Sequence, residues 1–242
     1  MKDLFWKKEY TITTNSLDCY DRLSLVGILD LLQDAAGYHT SLLGLGFEDL
    51  KRMGITWLLV RTKFELFKQL PPNRKVIVKT WQSYKGRVDF ERDYLVCDEN
   101  DEILIRGTSK WCLVDIQTHQ IVSTSRINVD ITYPEKRNYE KRFEKLCFPL
   151  DKILGEESFT IYKSHLDHNF HVNNTKYGEF IINTISLSQE DHIKKFEINY
   201  IKEVHLQDEL VVKFNKEENQ YFIEGTVNGK LAIRSLLEIE KH

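Results

Sequence analysis

The chain has little of what marks the specialised protein classes. Its 242 residues hold four cysteines, Cys19, Cys97, Cys112 and Cys147, and no two stand at the spacing of a zinc knuckle or a dithiol redox motif. Four prolines and eleven glycines exclude collagen-like and low-complexity chains. No run approaches the roughly 20 consecutive apolar residues of a membrane span. The stretch from Met1 to Glu9 has no apolar core, so no secretory signal is expected. The cysteines are accordingly read as reduced thiols in a cytoplasmic protein. Lys and Arg number 34 against 37 Asp and Glu, a net charge of -3, so no global basic field is available for nucleic acid.

What is present suits a large globular core: 41% of residues are hydrophobic and 12% aromatic. Alternation of apolar and polar positions is the strongest local signal. Leu231, Ile233, Ser235, Leu237 and Ile239 share one face of a strand, with Lys230, Arg234, Glu238 and Glu240 on the other. A strand over residues 220–227 precedes it, joined by Asn228-Gly229, the preferred two-residue hairpin turn. Residues 55–67, 75–81, 88–96, 103–116 and 196–205 also read as extended, which predicts a mostly antiparallel sheet. Two segments have helical period instead. Ser24 caps the first, followed by Leu25, Ile28, Leu29, Leu32, Ala35 and Ala36, with Val26 and Leu31 filling the other side. A helix apolar nearly all round is buried. The second starts near Asn174 with Tyr177, Phe180, Ile181 and Ile185 on one stripe, and Asn173 or Asn174 is its expected cap.

Strand, helix and several strands therefore occur twice, which is an internal repeat. Leu17-Asp18 before the first helix matches Leu166-Asp167 before the second, and Phe64-Glu65-Leu66 matches Phe196-Glu197-Ile198. The predicted fold class is α+β, each half a curled antiparallel sheet around a buried helix. Residues 1–122 form the first unit, 123–158 a linker with a charged, solvated run at 135–145, and 159–242 the second. Two such units pairing edge to edge leave a groove suited to a long apolar ligand.

The densest polar cluster is Ser164 to Asn174, immediately before the second helix. Read as extended, it puts Asp167, Asn169 and His171 on one face. A carboxylate, an amide and an imidazole beside the free N–H groups of a helix start are the parts of a hydrolytic site. The corresponding Asp18-Cys19-Tyr20-Asp21-Arg22 keeps the aspartate but has neither the asparagine nor the histidine, so one site per chain is expected. His165, His168 and His171 recur at intervals of three, but such spacing does not converge on a strand, and no metal is expected. His119, His192, His205 and His242 are read as surface or packing residues. Gly44-Leu45-Gly46 follows a helix and lacks a third glycine, so no dinucleotide cofactor is expected.

At these residues the chain resembles the acyl-ACP thioesterases of bacteria and plant plastids. The family pattern Leu-Asp-x-Asn-x-His-Val-Asn-Asn-x-Lys-Tyr is met by Leu166, Asp167, Asn169, His171, Val172, Asn173, Asn174, Lys176 and Tyr177. Trp57, Arg61, Thr80-Trp81, Gly86, Arg92-Asp93, Arg106, Ser109 and Trp111 extend it through the first half, and Tyr200-Ile201-Lys202-Glu203 matches a segment ending in the family's catalytic glutamate. The resemblance implies a tandem double hot-dog fold and hydrolysis of the thioester between a fatty acyl chain and acyl carrier protein. It implies Asp167, Asn169, His171 and Glu203 as catalytic residues and requires no cofactor. Plant members carry a cysteine after the glutamate, where this chain has Val204, which favours carboxylate chemistry. Trp57 and Arg61 are the substrate-binding candidates, Trp57 together with the first helix for the acyl pocket. Carrier protein is acidic, so Arg61, Lys63, Lys68, Arg74, Lys85 and Arg87 are candidates for a basic docking face. The assembly is a monomer or a homodimer. Two other readings stay open: a hot-dog dehydratase or hydratase, which releases no thiol from acyl carrier protein, and an acyl-binding module, which cleaves nothing.

Overall fold

A computed structural model of the chain describes residues 5–127, 137–140, 143, 145–146 and 152–241. The first half contains β1 (Phe5–Thr11), α1 (Leu25–Leu42), α2 (Phe47–Arg52), β2 (Ile55–Leu66), β3 (Lys75–Lys85), β4 (Asp89–Cys97), β5 (Ile103–Asp115) and the short β6 (Ile121–Val122). The second contains β7 (Gly155–Thr160), α3 (Lys176–Ile185), β8 (Asp191–Tyr200), β9 (Glu209–Glu217), β10 (Gln220–Val227) and β11 (Lys230–Lys241). The first strand of the second half thus begins inside the span read as linker, where Gly155 pairs with Phe214 of β9.

The strands form one sheet in the order β1-β3-β4-β5-β2-β8-β11-β10-β9-β7, with β6 added to β5. Each half reads outward from the centre in the same way, so the order itself displays the duplication. The halves meet at β2 and β8, which pair antiparallel with Phe64 opposite Phe196, Lys63 opposite Glu197 and Glu65 opposite Lys195. The expected pair of α+β hot-dog units joined edge to edge is the fold observed.

Local chemistry explains the elements. Ser24 accepts a hydrogen bond from the Gly27 N–H at 2.9 Å, a cap worth about 1 kcal/mol, and α1 follows with Leu25, Ile28, Leu29, Leu31, Leu32, Ala35 and Ala36 all buried. Asn228 and Gly229 both take positive φ, 51° and 70°, as a two-residue hairpin turn requires. The span 196–205 is only partly strand. After Tyr200 the N–H groups of Ile201 and Lys202 both donate to the Ala232 carbonyl, at 2.8 and 3.1 Å, and the chain leaves the ladder.

One core runs through both halves and contains α1, α3 and the inward face of the sheet. Trp81, Tyr94, Phe64, Phe90, Phe180 and Phe196 are fully buried, and each such side chain contributes about 1.5–3 kcal/mol by leaving water. The helices touch where α3 presents Gly178: a Cβ there would sit 3.2 Å from Leu29 and 3.3 Å from Leu25 of α1. Positions 135, 136, 141, 142 and 144 of the charged run 135–145 lie outside the described residues. Its described part is anchored rather than solvated, because Asn138 Nδ2 donates to the Tyr94 and Gly107 carbonyls at 2.8 and 2.9 Å, and Tyr139 donates to the Arg106 carbonyl at 3.0 Å.

Candidate active site

A tight loop carries the chain into α3. After a single helical turn at Lys163–His165, Leu166 and Val172 pair as an isolated antiparallel bridge. Between them the Asp167 N–H donates to the His171 carbonyl at 2.8 Å, and Phe170 takes φ 65°. Asp167 Oδ1 accepts from the Asn169 N–H at 2.8 Å and the His171 N–H at 3.3 Å. The expected strand face is therefore not what groups Asp167, Asn169 and His171. They sit on a turn closed around the aspartate's own carboxylate, the competition that short acidic side chains offer to ladder pairing.

The first half repeats this loop. Leu17 bridges Leu23, the Asp18 N–H donates to the Arg22 carbonyl at 2.7 Å, and Asp21 takes φ 59°. Asp18 Oδ1 accepts from the N–H groups of Tyr20 and Arg22 at 2.9 and 3.0 Å. Only the side chains differ, with Tyr20 and Arg22 where the second loop has Asn169 and His171. The Arg22 guanidinium binds Asp18 Oδ2 at 3.0 Å and donates to the carbonyls of Gln189 and Asp191 at 3.1 and 3.2 Å.

His171 Nε2 lies 3.4 Å from Glu203 Oε2, both side chains partly exposed. The Val204 carbonyl accepts from the Val172 N–H at 2.9 Å while the Val204 side chain is fully buried. Glu203 and His205, its neighbours, turn the other way. His205 forms a bridge with His171, the two rings 4.9 Å apart at 78°. His205, read as a surface residue, thus belongs to the same cluster. Nearby, burial and then the charges of Asp167, Asp208 and Glu203 push the Tyr177 phenol well above its usual range.

A cavity of about 320 Å³ opens beside the loop. Asp167, His168 and Asn169 line one side; Gln33 and Thr40 of α1, Trp57 of β2, Arg92 of β4 and Trp111 of β5 line the others. His171 and Glu203 are not among its lining residues, so the four expected catalytic residues divide into a pair on the cavity wall and a pair beyond it. The pairs are joined through the hydrogen bond from the His171 N–H to Asp167.

Trp57 lines the cavity with its Nε1 donating to the Leu45 carbonyl at 3.0 Å, and Arg61 does not line it. Simple alternation along β2 would place both on one face. The register of β2 against β5 shifts between Leu59 and Arg61, and such a bulge moves every later side chain to the opposite face. Arg61 consequently stands over the Phe143 ring at 6.0 Å. Of the other basic docking candidates, Lys63 covers Tyr139 at 4.3 Å, while Lys68 and Arg74 pair with Glu102 and Asp98 at 3.2 and 3.5 Å.

Neither asparagine caps α3 in the expected way. Thr175 holds the cap position without a capping bond from its side chain, and Asn173 acts two residues earlier, its Oδ1 accepting from the Thr175 N–H at 3.1 Å, the Thr175 hydroxyl at 3.3 Å and Gln33 Nε2 at 3.4 Å. Of the three histidines at intervals of three, His165 Nδ1 accepts from the Tyr162 N–H and His168 lies edge-on to Phe47, so they separate. Sequence reasoning passed over Arg92 as a site residue. It is buried, donates to His39 Nδ1 at 2.8 Å and Thr80 Oγ1 at 3.2 Å, and burial lowers its pKa. Its signal was available: an arginine between Phe90 and Tyr94 on the inward face of a strand.

Known proteins resemble this chain in sequence and in fold. The acyl-ACP thioesterase N-terminal domain model matches residues 3–133, and the C-terminal domain model matches residues 152–232. The oleoyl-acyl carrier protein thioesterase of Coriandrum sativum is 25% identical over 202 residues, 75% of this chain and 54% of that protein. Oleoyl-acyl carrier protein thioesterase 2 of Arabidopsis thaliana is 23% identical over 252 residues, 95% of this chain and 68% of that protein. The chain therefore spans about half to two thirds of the length of these chloroplastic relatives. A solved acyl-ACP thioesterase from Bacteroides thetaiotaomicron superposes with a TM-score of 0.88 at 26% identity, over 98% of both chains. The 12:0-ACP thioesterase of Umbellularia californica has the same fold, with a TM-score of 0.88 at 21% identity over 100% of this chain and 99% of that one.

Proposed function

We propose, for a chain that belongs to the acyl-ACP thioesterase family, that it hydrolyses the thioester of fatty acyl carrier protein in the cytoplasm, releasing a free fatty acid and the carrier thiol. The observation that carries this reading is the junction of two features. A cavity of about 320 Å³, lined by both halves, has one wall made of Asp167 and Asn169, and the His171 N–H bond to Asp167 joins that wall to the His171–Glu203 pair beyond it.

The chemistry divides accordingly. A thiolate leaves readily, with a pKa near roughly 8.5, so the harder tasks are deprotonating water and stabilising the tetrahedral oxyanion. His171 takes the proton from the attacking water, and Glu203 steadies the imidazolium that results. Water oxygen bonds to the carbonyl carbon, the C–S bond breaks, and the proton passes to the departing thiolate. Asn169 donates its amide N–H to the carbonyl oxygen. Asp167 holds the loop that carries both groups, through the two N–H bonds its Oδ1 accepts. The acyl chain enters the cavity past Trp57. Acyl carrier protein presents its phosphopantetheine arm at the mouth.

Thiol release from a series of acyl carrier protein substrates tests the reading. His171→Ala and Glu203→Gln should each lower kcat by about 10²–10⁴-fold, the usual share of general-base catalysis. Binding without thiol release in the parent protein overturns it. Oxygen-18 appearing in Asp167 after a single turnover would replace water attack with an acyl-enzyme route.

A further inference from the structure

We propose that His171, Glu203 and His205 bind one divalent transition-metal ion, Zn²⁺ fitting best, and that its occupancy silences the hydrolytic site. Metal binding stands on its own; the silencing rests on the function proposed above.

The argument begins with donor type. Two imidazole nitrogens and one carboxylate oxygen form a set suited to zinc, unlike the all-oxygen sets of calcium and magnesium. The distances come next. Four-coordinate zinc, with bonds of about 2.0–2.1 Å, holds its ligand atoms about 3.3–3.4 Å apart. His171 Nε2 and Glu203 Oε2 already stand at 3.4 Å, and one ligand atom from each of the three residues lies within 4.8 Å of the others. Small side-chain rotations close the remaining gaps.

The backbone fixes the three residues together. His171 and His205 are joined by an antiparallel bridge. Val204 is locked in the core, which leaves Glu203 and His205 on the side facing His171. The His205 N–H donates to Asp208 Oδ2 at 2.9 Å, holding that strand end in place. Charge points the same way. Asp208 Oδ2 accepts the His205 N–H at 2.9 Å and Asp167 Oδ1 the His171 N–H at 3.3 Å, so two further carboxylates stand beside the two histidines and favour a cation. His205 is exposed, giving an ion access, and a water would complete the coordination. Bound metal would hold both His171 and Glu203 and leave neither free to take a proton from water.

Titration of the metal-free full chain with Zn²⁺ in a calorimeter, and with Co²⁺ followed by visible absorption, tests the site. One ion per chain is expected, with affinity at least tenfold weaker in His205→Ala and in His205→Gln. Neither exposed substitution should disturb folding. In parallel, Zn²⁺ should stop thiol release by the parent protein and a chelator should restore it, while the thiol release that His205→Ala retains, measured against its own metal-free rate, should resist Zn²⁺. Absence of binding at millimolar metal overturns the site, as does binding that both His205 variants retain in full, which would assign it to other histidines. Metal binding of the expected kind in a protein that releases no thiol would leave the site standing and remove only the hydrolytic reading.

Discussion

Phe64 and Phe196, equivalent residues of the two repeats, face each other across the seam between β2 and β8 with ring centroids 5.6 Å apart. Both are 1% exposed and belong to the core shared by the halves. Phe196→Ala is expected to cost about 3–5 kcal/mol, as truncation of a buried phenylalanine does. Urea unfolding should show the loss in one transition, because the seam belongs to both halves. Two transitions in the parent protein would mean that the halves unfold separately.

The duplicated turns allow positioning to be separated from chemistry. Asp18→Ala and Asp167→Ala each remove an acceptor of two backbone N–H groups, and each should destabilise by about 1–3 kcal/mol. Only Asp167→Ala should also slow thiol release, by about 10²-fold, the effect of displacing catalytic groups by an ångström. Equal losses of rate from both would contradict the assignment of a single site.

Trp111 divides two spaces. The main cavity and a small void of about 10 Å³ behind it share Gln33, Trp111 and Asn174, and the void is bounded by Leu29, Leu32, Leu59, Tyr94 and Tyr200. Trp111 Nε1 donates to Ser109 Oγ at 2.7 Å, which fixes the indole as the floor. Trp111→Leu should join the two spaces and move the preferred acyl chain to greater length by several carbons. Competition among acyl carrier protein substrates of graded length measures this, and an unchanged profile would place the floor elsewhere.

Asp93 supplies a pH dependence. Burial raises its pKa above that of the unfolded chain, against the hydrogen bond its Oδ2 accepts from the Asn138 N–H. The folded state therefore holds this proton more tightly, and the stability it contributes is lost as pH rises through the folded pKa. Asp93→Asn keeps an acceptor for the Asn138 N–H, which lies 2.8 Å away. The variant's stability relative to the parent should increase as pH rises above the ordinary carboxylate range. A difference that shrinks over that rise would contradict the shift.

The sequence revealed the elements whose causes are local. Ser24 before an apolar run and Asn228-Gly229 between alternating segments are signals complete within a few residues. The same holds for Asp18 and Asp167, whose repeated context exposed the duplication before any strand was paired. Asp167, Asn169 and His171 were legible as a group because they span five positions, although a turn and not a strand face unites them. Glu203 was reached only through family resemblance. The position of Arg61 off the cavity wall follows from the bulge in β2, and nothing in the residues near Val60 announces that one-residue slip against β5. Arg92 was missed for a different reason. Its meaning depends on His39, 53 positions away, which reaches it only once α1 lies in the concave sheet.

The guanidinium of Arg22 ties the first turn to the backbone at Gln189 and Asp191, the approach to β8. The first turn carries no imidazole and serves instead as a bolt between the repeats. Engineering an imidazole into position 22 would therefore cost mechanical cohesion between the repeats without creating a second centre, because Tyr20 still stands where the other turn has Asn169.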